Sequence, residues 1–230
     1  MLPFLLIPGL NANARVYREA AEALWPHGAV THANHLLGEG LAGIAEQILS
    51  VAPPRFALVG FSFGGYLSFE ILRQAKERVA KLALIDTSAR ADTAESIENR
   101  RRRIELARAG KFGLVLQQSF PNSVHPDNAE NSELMAIHRT MGETNGAEAY
   151  VRHQEAIIAR PDSRAILGGI DVPTVVIVGE ADVITPPEVA REMHERITGS
   201  RLALIPNAGH MALLERPAAV NAALREWASR

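Results

Sequence analysis

Ser62, Asp182 and His210 lie far apart in the chain, but their side chains could together activate a hydroxyl group. A serine hydroxyl is a weak nucleophile until a base takes its proton, and an imidazole base needs a carboxylate to fix its tautomer and orientation. Ser62 sits in Gly60-Phe61-Ser62-Phe63-Gly64-Gly65, a G-x-S-x-G pattern. That pattern suits a nucleophile at the tip of a sharp strand-to-helix turn, where the residues two before and two after must be small. Alone the pattern is weak: glycine and serine at about 7% usage each produce it by chance in roughly one chain in ten of this size. Its weight comes from its neighbours, an apolar run at 56–59 and an amphipathic helical run from 63.

The base and the acid are read from position. After the apolar run 175–178 comes Gly179-Glu180-Ala181-Asp182, and after the run 202–205 comes Pro206-Asn207-Ala208-Gly209-His210. Both sites are loops at the C-terminal ends of strands, the edge at which an open parallel sheet binds its ligands. The order serine, acid, histidine is the one that a nucleophile elbow requires. Two other carboxylates compete for the orienting role. Glu180 shares the loop of Asp182, and Asp86 follows the run 82–85 at the same edge, which makes it the alternative acid. An oxyanion would need preplaced donors. The expected ones are the backbone N–H groups of Phe63, directly after the nucleophile, and of Leu10, in the loop after the first strand. Asn11 and Asn13 in that loop read as caps or turn formers.

The elements that must hold these residues follow from hydrophobic periodicity. Short apolar runs at 4–7, 56–59, 82–85, 175–178 and 202–205, with a weaker one at 29–32, fit parallel strands buried on both faces. Helical patterns fall between them at 15–24, 41–50, 63–76, 187–197 and 217–228, the fourth introduced by Thr185 as N-cap before two prolines. Such alternation predicts an open, doubly wound α/β sheet. Residues 88–167 interrupt it with helical segments only, at 94–109, 113–119, 132–141 and 147–159. A core of 1–87 and 168–230 with an inserted helical cap at 88–167 is the expected organisation. The run Arg100 to Arg103 lies inside the insertion and reads as a solvated or salt-bridged surface, with a site for acidic substrates as the lesser alternative.

Composition limits the classes of function. The 230 residues are 47% hydrophobic, enough to fill the core of one domain. A formal net charge of −2 provides no positive field for nucleic acid or an anionic membrane. The chain has no cysteine, which removes disulfides, thiol nucleophiles and cysteine-held metals, and suits a cytoplasmic location. The opening MLPFLLIPGL lacks a basic leader and a cleavage site and reads as a strand, and no apolar run approaches the roughly 20 residues that span a bilayer.

Taken together, the elbow at Gly60 to Gly65, the acid segment Gly179 to Asp182 with Thr185-Pro186-Pro187, and Gly209-His210 followed by Glu215-Arg216-Pro217 resemble the α/β-hydrolase superfamily. The last two segments, with the stretch LALIDTSA at 82–89, are similar to its bacterial esterase, enol-lactonase and cofactor-free haloperoxidase-like group. The resemblance implies the α/β-hydrolase fold, with about six strands because a peripheral pair is missing. It also implies a serine hydrolase acting on a small carboxylic ester or lactone, needing no cofactor and no metal. Pro8-Gly9 replaces the family's usual His-Gly before the oxyanion donor, and His32 stands where relatives often carry an acid; His32 and His35 are expected to be structural. A haloalkane dehalogenase would need a carboxylate at the elbow. Perhydrolysis, a C–C hydrolase or lyase using the same triad, and a hydrolase-fold ligand-binding or signalling protein remain the alternatives. Oligomeric state is not readable.

Overall fold

A computed structural model describes all 230 residues. Six strands form one sheet: β1 (Phe4–Ile7), β2 (Val30–His32), β3 (Phe56–Phe61), β4 (Val79–Ile85), β5 (Thr174–Gly179) and β6 (Arg201–Ile205). Their spatial order is β2-β1-β3-β4-β5-β6 and every pairing is parallel. The chain leaves β1 to one side for β2, then returns to the other side of β1 for β3. The order therefore reverses between β1 and β3, and the loops that follow these two strands diverge around a crevice at the sheet's C-terminal edge.

Alternation along the strands builds two cores. Leu5, Ile7, Leu58, Leu82, Leu84, Val176 and Val178 face one side, against α2 (Gly40–Val51), α3 (Phe63–Ala75) and α9 (Pro187–Arg196). Phe4, Leu6, Ala57, Val59, Ala83, Ile85 and Ile177 face the other, against α1 (Arg18–Leu24) and α11 (Pro217–Ala228). Burial on both faces is why the central strands read as unbroken apolar runs. The sequence places the start of β4 at residue 82 because Lys81 interrupts its run. In the fold Lys81 reaches past the sheet and donates from Nζ to the Ala228 carbonyl at 2.7 Å, at the C-terminal end of α11. A cation there satisfies a carbonyl that the helix leaves free.

Residues 15–24 do not form the single helix that periodicity suggests. A 3-10 turn at Ala14–Tyr17 precedes α1, and Tyr17 breaks the helical path with φ −98° and ψ 6°. Its fully buried ring is drawn to the sheet, where the hydroxyl donates to the Ile7 carbonyl at 2.9 Å. Five helices separate β4 from β5: α4 (Ala94–Arg108), α5 (Phe112–Ser123), α6 (Ser132–Asn145), α7 (Ala147–Ile158) and the short α8 (Arg164–Leu167). α5 runs on through Pro121, where the sequence suggested an earlier stop. A four-residue helix, α10 (Ala212–Glu215), precedes α11. No helix is long and apolar enough to cross a membrane.

Tyr17→Phe should lower the unfolding free energy by about 1–2 kcal/mol, because the Ile7 carbonyl loses its side-chain donor in a buried setting. Urea titration followed by circular dichroism would measure it. An unchanged midpoint would show that the hydroxyl does not hold the end of β1.

Candidate functional site

Ser62 occupies the turn between β3 and α3 with φ 52° and ψ −112°, a backbone conformation that side chains other than glycine rarely adopt. Strain of this kind costs about 1–3 kcal/mol and persists only where the surroundings over-determine it. Here the Ser62 N–H donates to the Ile85 carbonyl at 2.9 Å, and its carbonyl accepts from Gly65 N and Thr87 Oγ1, each at 2.8 Å. The flanking glycines are set by contact. A Cβ at Gly64 would lie 2.0 Å from the Ile7 carbonyl oxygen, and one at Gly60 would lie 2.4 Å from Ser68 Oγ. The first turn of α3 thus rests directly on the end of β1.

The three residues read from the sequence come together. His210 Nε2 is 2.8 Å from Ser62 Oγ, and His210 Nδ1 is 2.8 Å from Asp182 Oδ2. His210 and Asp182 are buried, whereas Ser62 is half-buried and faces a cavity. The loops carrying acid and base are stitched together by backbone bonds, Glu180 N to the Ile205 carbonyl at 3.0 Å and Ala181 N to the Ala208 carbonyl at 2.9 Å.

Asp182 is held by more than the histidine. Its Oδ1 accepts from the backbone N–H of Ile184 (2.8 Å) and Thr185 (3.0 Å), and its Oδ2 accepts from Thr185 Oγ1 (2.7 Å). Burial pushes this carboxyl up, but the charge of His210 and the bonds from His210 and Thr185 outweigh it and hold the group below the usual carboxylate range. Thr185 is therefore not the N-cap that its position before two prolines suggested. Pro186 is the capping residue of α9 and makes no side-chain bond, while the Thr185 hydroxyl is committed to Asp182. With that proton given away, Thr185 Oγ1 presents a lone pair 3.3 Å from His210 Nδ1.

The competing carboxylates go elsewhere. Glu180 is exposed. Asp86 is fully buried with φ 43°, and its Oδ1 accepts from Gly179 N at 2.9 Å rather than meeting the imidazole. Its Oδ2 has no partner. Burial first, then the negative charge of Asp182, push the Asp86 carboxyl well above the ordinary range. The carboxyl that meets His210 is Asp182, the one held below the usual range.

The sequence reading missed Glu215 as a supporting residue, although it lies in the Glu215-Arg216-Pro217 motif. Its buried carboxylate accepts from Gly209 N at 2.8 Å, from His125 N at 2.7 Å and from Asn128 Nδ2 at 2.8 Å. One side chain thus ties the loop of His210 to the helical segment between β4 and β5. Only the fold brings residues 125 and 128 beside it, so spacing held no signal.

In the loop after β1, the Leu10 N–H makes no hydrogen bond within the chain, and Phe63 opens α3, where an N–H has no preceding turn to bond. Asn13 caps the 3-10 turn, accepting from Arg15 N at 3.1 Å. Asn11 instead adopts φ 58° and lines the cavity. His35 is buried outside the cavity and stacks on His153 at 5.0 Å, which stacks on Phe63 at 4.6 Å. Burial lowers His35 to about 3 and His153 to about 4, so an uncharged stack supports the Phe63 ring. His32 lies against Tyr17.

The cavity beside Ser62 measures about 440 Å³. Leu10, Asn11 and His210 line it from the sheet edge, and α4, α5, α6 and α7 line it from the opposite side. His138 on α6 is a further lining residue that the sequence reading passed over; burial lowers it to about 4. No grouping of three or more His, Asp or Glu side chains stands close enough to hold a metal ion.

Two measurements follow from the buried carboxyls. Glu215→Gln places an amide NH₂ against backbone donors and should cost about 2–3 kcal/mol, with any turnover falling through kcat more than through KM as His210 loses its anchor. Full stability in the variant would contradict this. For Asp86, the folded pKa lies above the unfolded one. Unfolding then releases a proton between the two values, and stability falls as pH rises through that window. Asp86→Asn removes this loss, so its thermal midpoint relative to wild type should climb as pH rises above the ordinary carboxylate range. A pH-independent difference would show that Asp86 is ionised in the fold.

A sequence model of the alpha/beta hydrolase family matches residues 4–223. The chain is 26% identical, over 96% of its length and 91% of the relative's, to the pimeloyl-[acyl-carrier protein] methyl ester esterase of Neisseria meningitidis serogroup B. Among solved structures it is similar to a thermophilic esterase from Thermogutta terrifontis, with malate bound (TM-score 0.90, 30% identity, 99% of this chain and 89% of that one). It shares its fold with the enol-lactonase of Burkholderia xenovorans LB400 (TM-score 0.86, 23% identity, 100% and 92% covered). With its six-stranded parallel sheet, its helices on both faces and a family match over nearly the whole chain, this protein belongs to the α/β hydrolase family and is a hydrolytic enzyme of that fold.

Proposed function

We propose that the protein cleaves a small carboxylic ester or lactone through an acyl-enzyme, with Ser62 as nucleophile, His210 as general base and acid, and Asp182 as the orienting carboxylate. The observation that carries this reading is the continuous hydrogen-bonded chain from Ser62 Oγ through both nitrogens of His210 to Asp182, each link 2.8 Å, opening on a cavity. The names of the Neisseria and Thermogutta relatives, both esterases, support the ester carbonyl as the reacting group.

In this mechanism Ser62 Oγ attacks the carbonyl carbon while His210 Nε2 takes the hydroxyl proton. The imidazolium that forms faces Asp182, whose charge is fixed in place by three further hydrogen bonds. The carbonyl π electrons move to oxygen, and the Leu10 and Phe63 N–H groups donate to that oxyanion. Collapse expels the alkoxide, which takes the proton from Nε2. A water molecule then repeats the sequence: His210 takes its proton, the hydroxide adds to the acyl carbon, and Ser62 leaves with the proton returned. The helical segment 88–167 serves in this reading as a cap over the cavity, and the protein works in the cytoplasm on a small molecule, without nucleic acid, membrane or cofactor.

Labelling with a fluorophosphonate should place the adduct on Ser62. Ser62→Ala should abolish labelling and lower kcat on aryl esters by about 10⁴-fold or more, and Asp182→Asn by about 10²–10⁴-fold. An adduct at another residue, or unchanged turnover in Ser62→Ala, would overturn the mechanism.

A further inference from the structure

The arginine run on α4 does not play one role. Arg102 pairs with Glu98 along the helix, whereas Arg100 and Arg103 line the cavity that holds Ser62. Arg100 is tied down. Its guanidinium binds Asp92, which also accepts from Arg160 at 2.8 Å, so a single carboxylate is shared between two cations. Arg103 is exposed to solvent as well as to the cavity and forms no ion pair, and no aspartate or glutamate lines the cavity. The wall opposite Ser62 therefore carries uncompensated positive charge in a protein whose net charge is −2.

The hydrogen bonds in that wall run outward from Arg100, to Asp92 on one side and through Gln154 to Tyr150 on the other. Arg100 can only donate, and it donates from Nη1 to Gln154 Oε1 at 2.8 Å. This fixes the amide so that Gln154 Nε2 donates to the Tyr150 hydroxyl oxygen at 2.8 Å. The Tyr150 oxygen is thereby an acceptor, and its own hydrogen has no acceptor within the chain. Burial holds Tyr150 above the ordinary phenol range, so the proton stays on it. Arg100, which Asp92 holds in place, Gln154 and Tyr150 thus form a chain of donors that ends on an O–H in the cavity lining, in the electrostatic field of Arg103. A substrate oxygen bearing negative charge satisfies both the donor and the cation.

We infer that Arg103 and the Tyr150 hydroxyl form a subsite for a carboxylate, so that the preferred substrates are esters or lactones carrying an anionic group away from the scissile carbonyl. The inference rests on the reading of Ser62, His210 and Asp182 as the hydrolytic centre. It makes Arg103 and Tyr150 specificity-determining residues. Arg100 and Arg103 line the cavity, where a site for acidic substrates would need them.

Monophenyl esters of succinic, glutaric and adipic acid can be compared with phenyl esters of butanoic, pentanoic and hexanoic acid. The wild type should favour the best acidic ester over its neutral counterpart by about tenfold to a hundredfold in kcat/KM, the range expected of a charge-assisted hydrogen bond. Arg103→Gln should lose at least tenfold more on the acidic ester than on the neutral one, mainly through KM. Arg103→Lys should recover part of that loss, Tyr150→Phe should narrow the ratio, and added salt should narrow it in the wild type. No preference in the wild type, or a ratio unchanged by Arg103→Gln, overturns the inference. The hydrolytic reading fails separately, by turnover of neither series together with no fluorophosphonate adduct at Ser62. In that case glutarate binding to Ser62→Ala, measured by calorimetry, tests the subsite alone. Binding at least tenfold weaker after adding Arg103→Gln supports it, and equal or absent binding overturns it.

Discussion

The contact between the first turn of α3 and the end of β1 sets the geometry on which the site depends. Gly64 lies against the Ile7 carbonyl so closely that no side chain fits between them. That approach forces Ser62 into a left-handed backbone conformation, projects its hydroxyl out of the sheet, and brings the Leu10 loop beside the opening of α3. It also lies at the point where the strand order reverses, the one crevice in this topology where loops after neighbouring strands part rather than pack. The hydroxyl of Tyr17 and the neutral stack of His35, His153 and Phe63 then hold the two sides of the contact in place.

Three buried carboxyl groups near this contact have different fates, each set by what donates to it. Asp182 receives bonds from two backbone amides, a hydroxyl and an imidazole, and stays charged. Asp86 receives one amide, is fully buried and faces the charge of Asp182, so its carboxyl is pushed up. Glu215 receives three N–H groups drawn from two parts of the chain and works as a clasp between them. Burial alone would push Asp86 and Asp182 in one direction, and the donors and charges around each decide the outcome.

The helical segment between β4 and β5 contributes charge where the sheet edge contributes geometry. Its ion pairs with Asp92 secure one wall of the cavity, and Arg160 lies over the Tyr66 ring of α3 at 4.3 Å, joining that wall to the hydrolase core. The bond from Asn145 to the Ala12 carbonyl, at 2.8 Å, closes the other side. In the proposed mechanism the sheet supplies the bond-breaking groups, and the segment above it selects which molecules reach them.

The sequence by itself determined what local pattern can encode. Strands buried on both faces leave continuous apolar runs, which is why β1 and most of β3 and β5 were legible to within a residue or two. The elbow glycines and the loops after β4, β5 and β6 have positions set by strand ends, so Ser62, His210 and the two candidate acids Asp182 and Asp86 could be named without coordinates. Lys81 and Tyr17 were misread for one reason: each side chain serves a partner distant in the chain, the end of α11 for one and the end of β1 for the other. The same holds for Thr185, taken for a helix cap but bonded to Asp182, and for Glu215, whose partners include residues 125 and 128. Only the tertiary structure could separate Asp86 from Asp182, because both follow strands at the same edge and differ in which donors the fold brings to them. It alone showed that Arg100 and Arg103 of the arginine run line the cavity. A helix presents consecutive residues in different directions, and which direction meets a cavity depends on the elements packed around it.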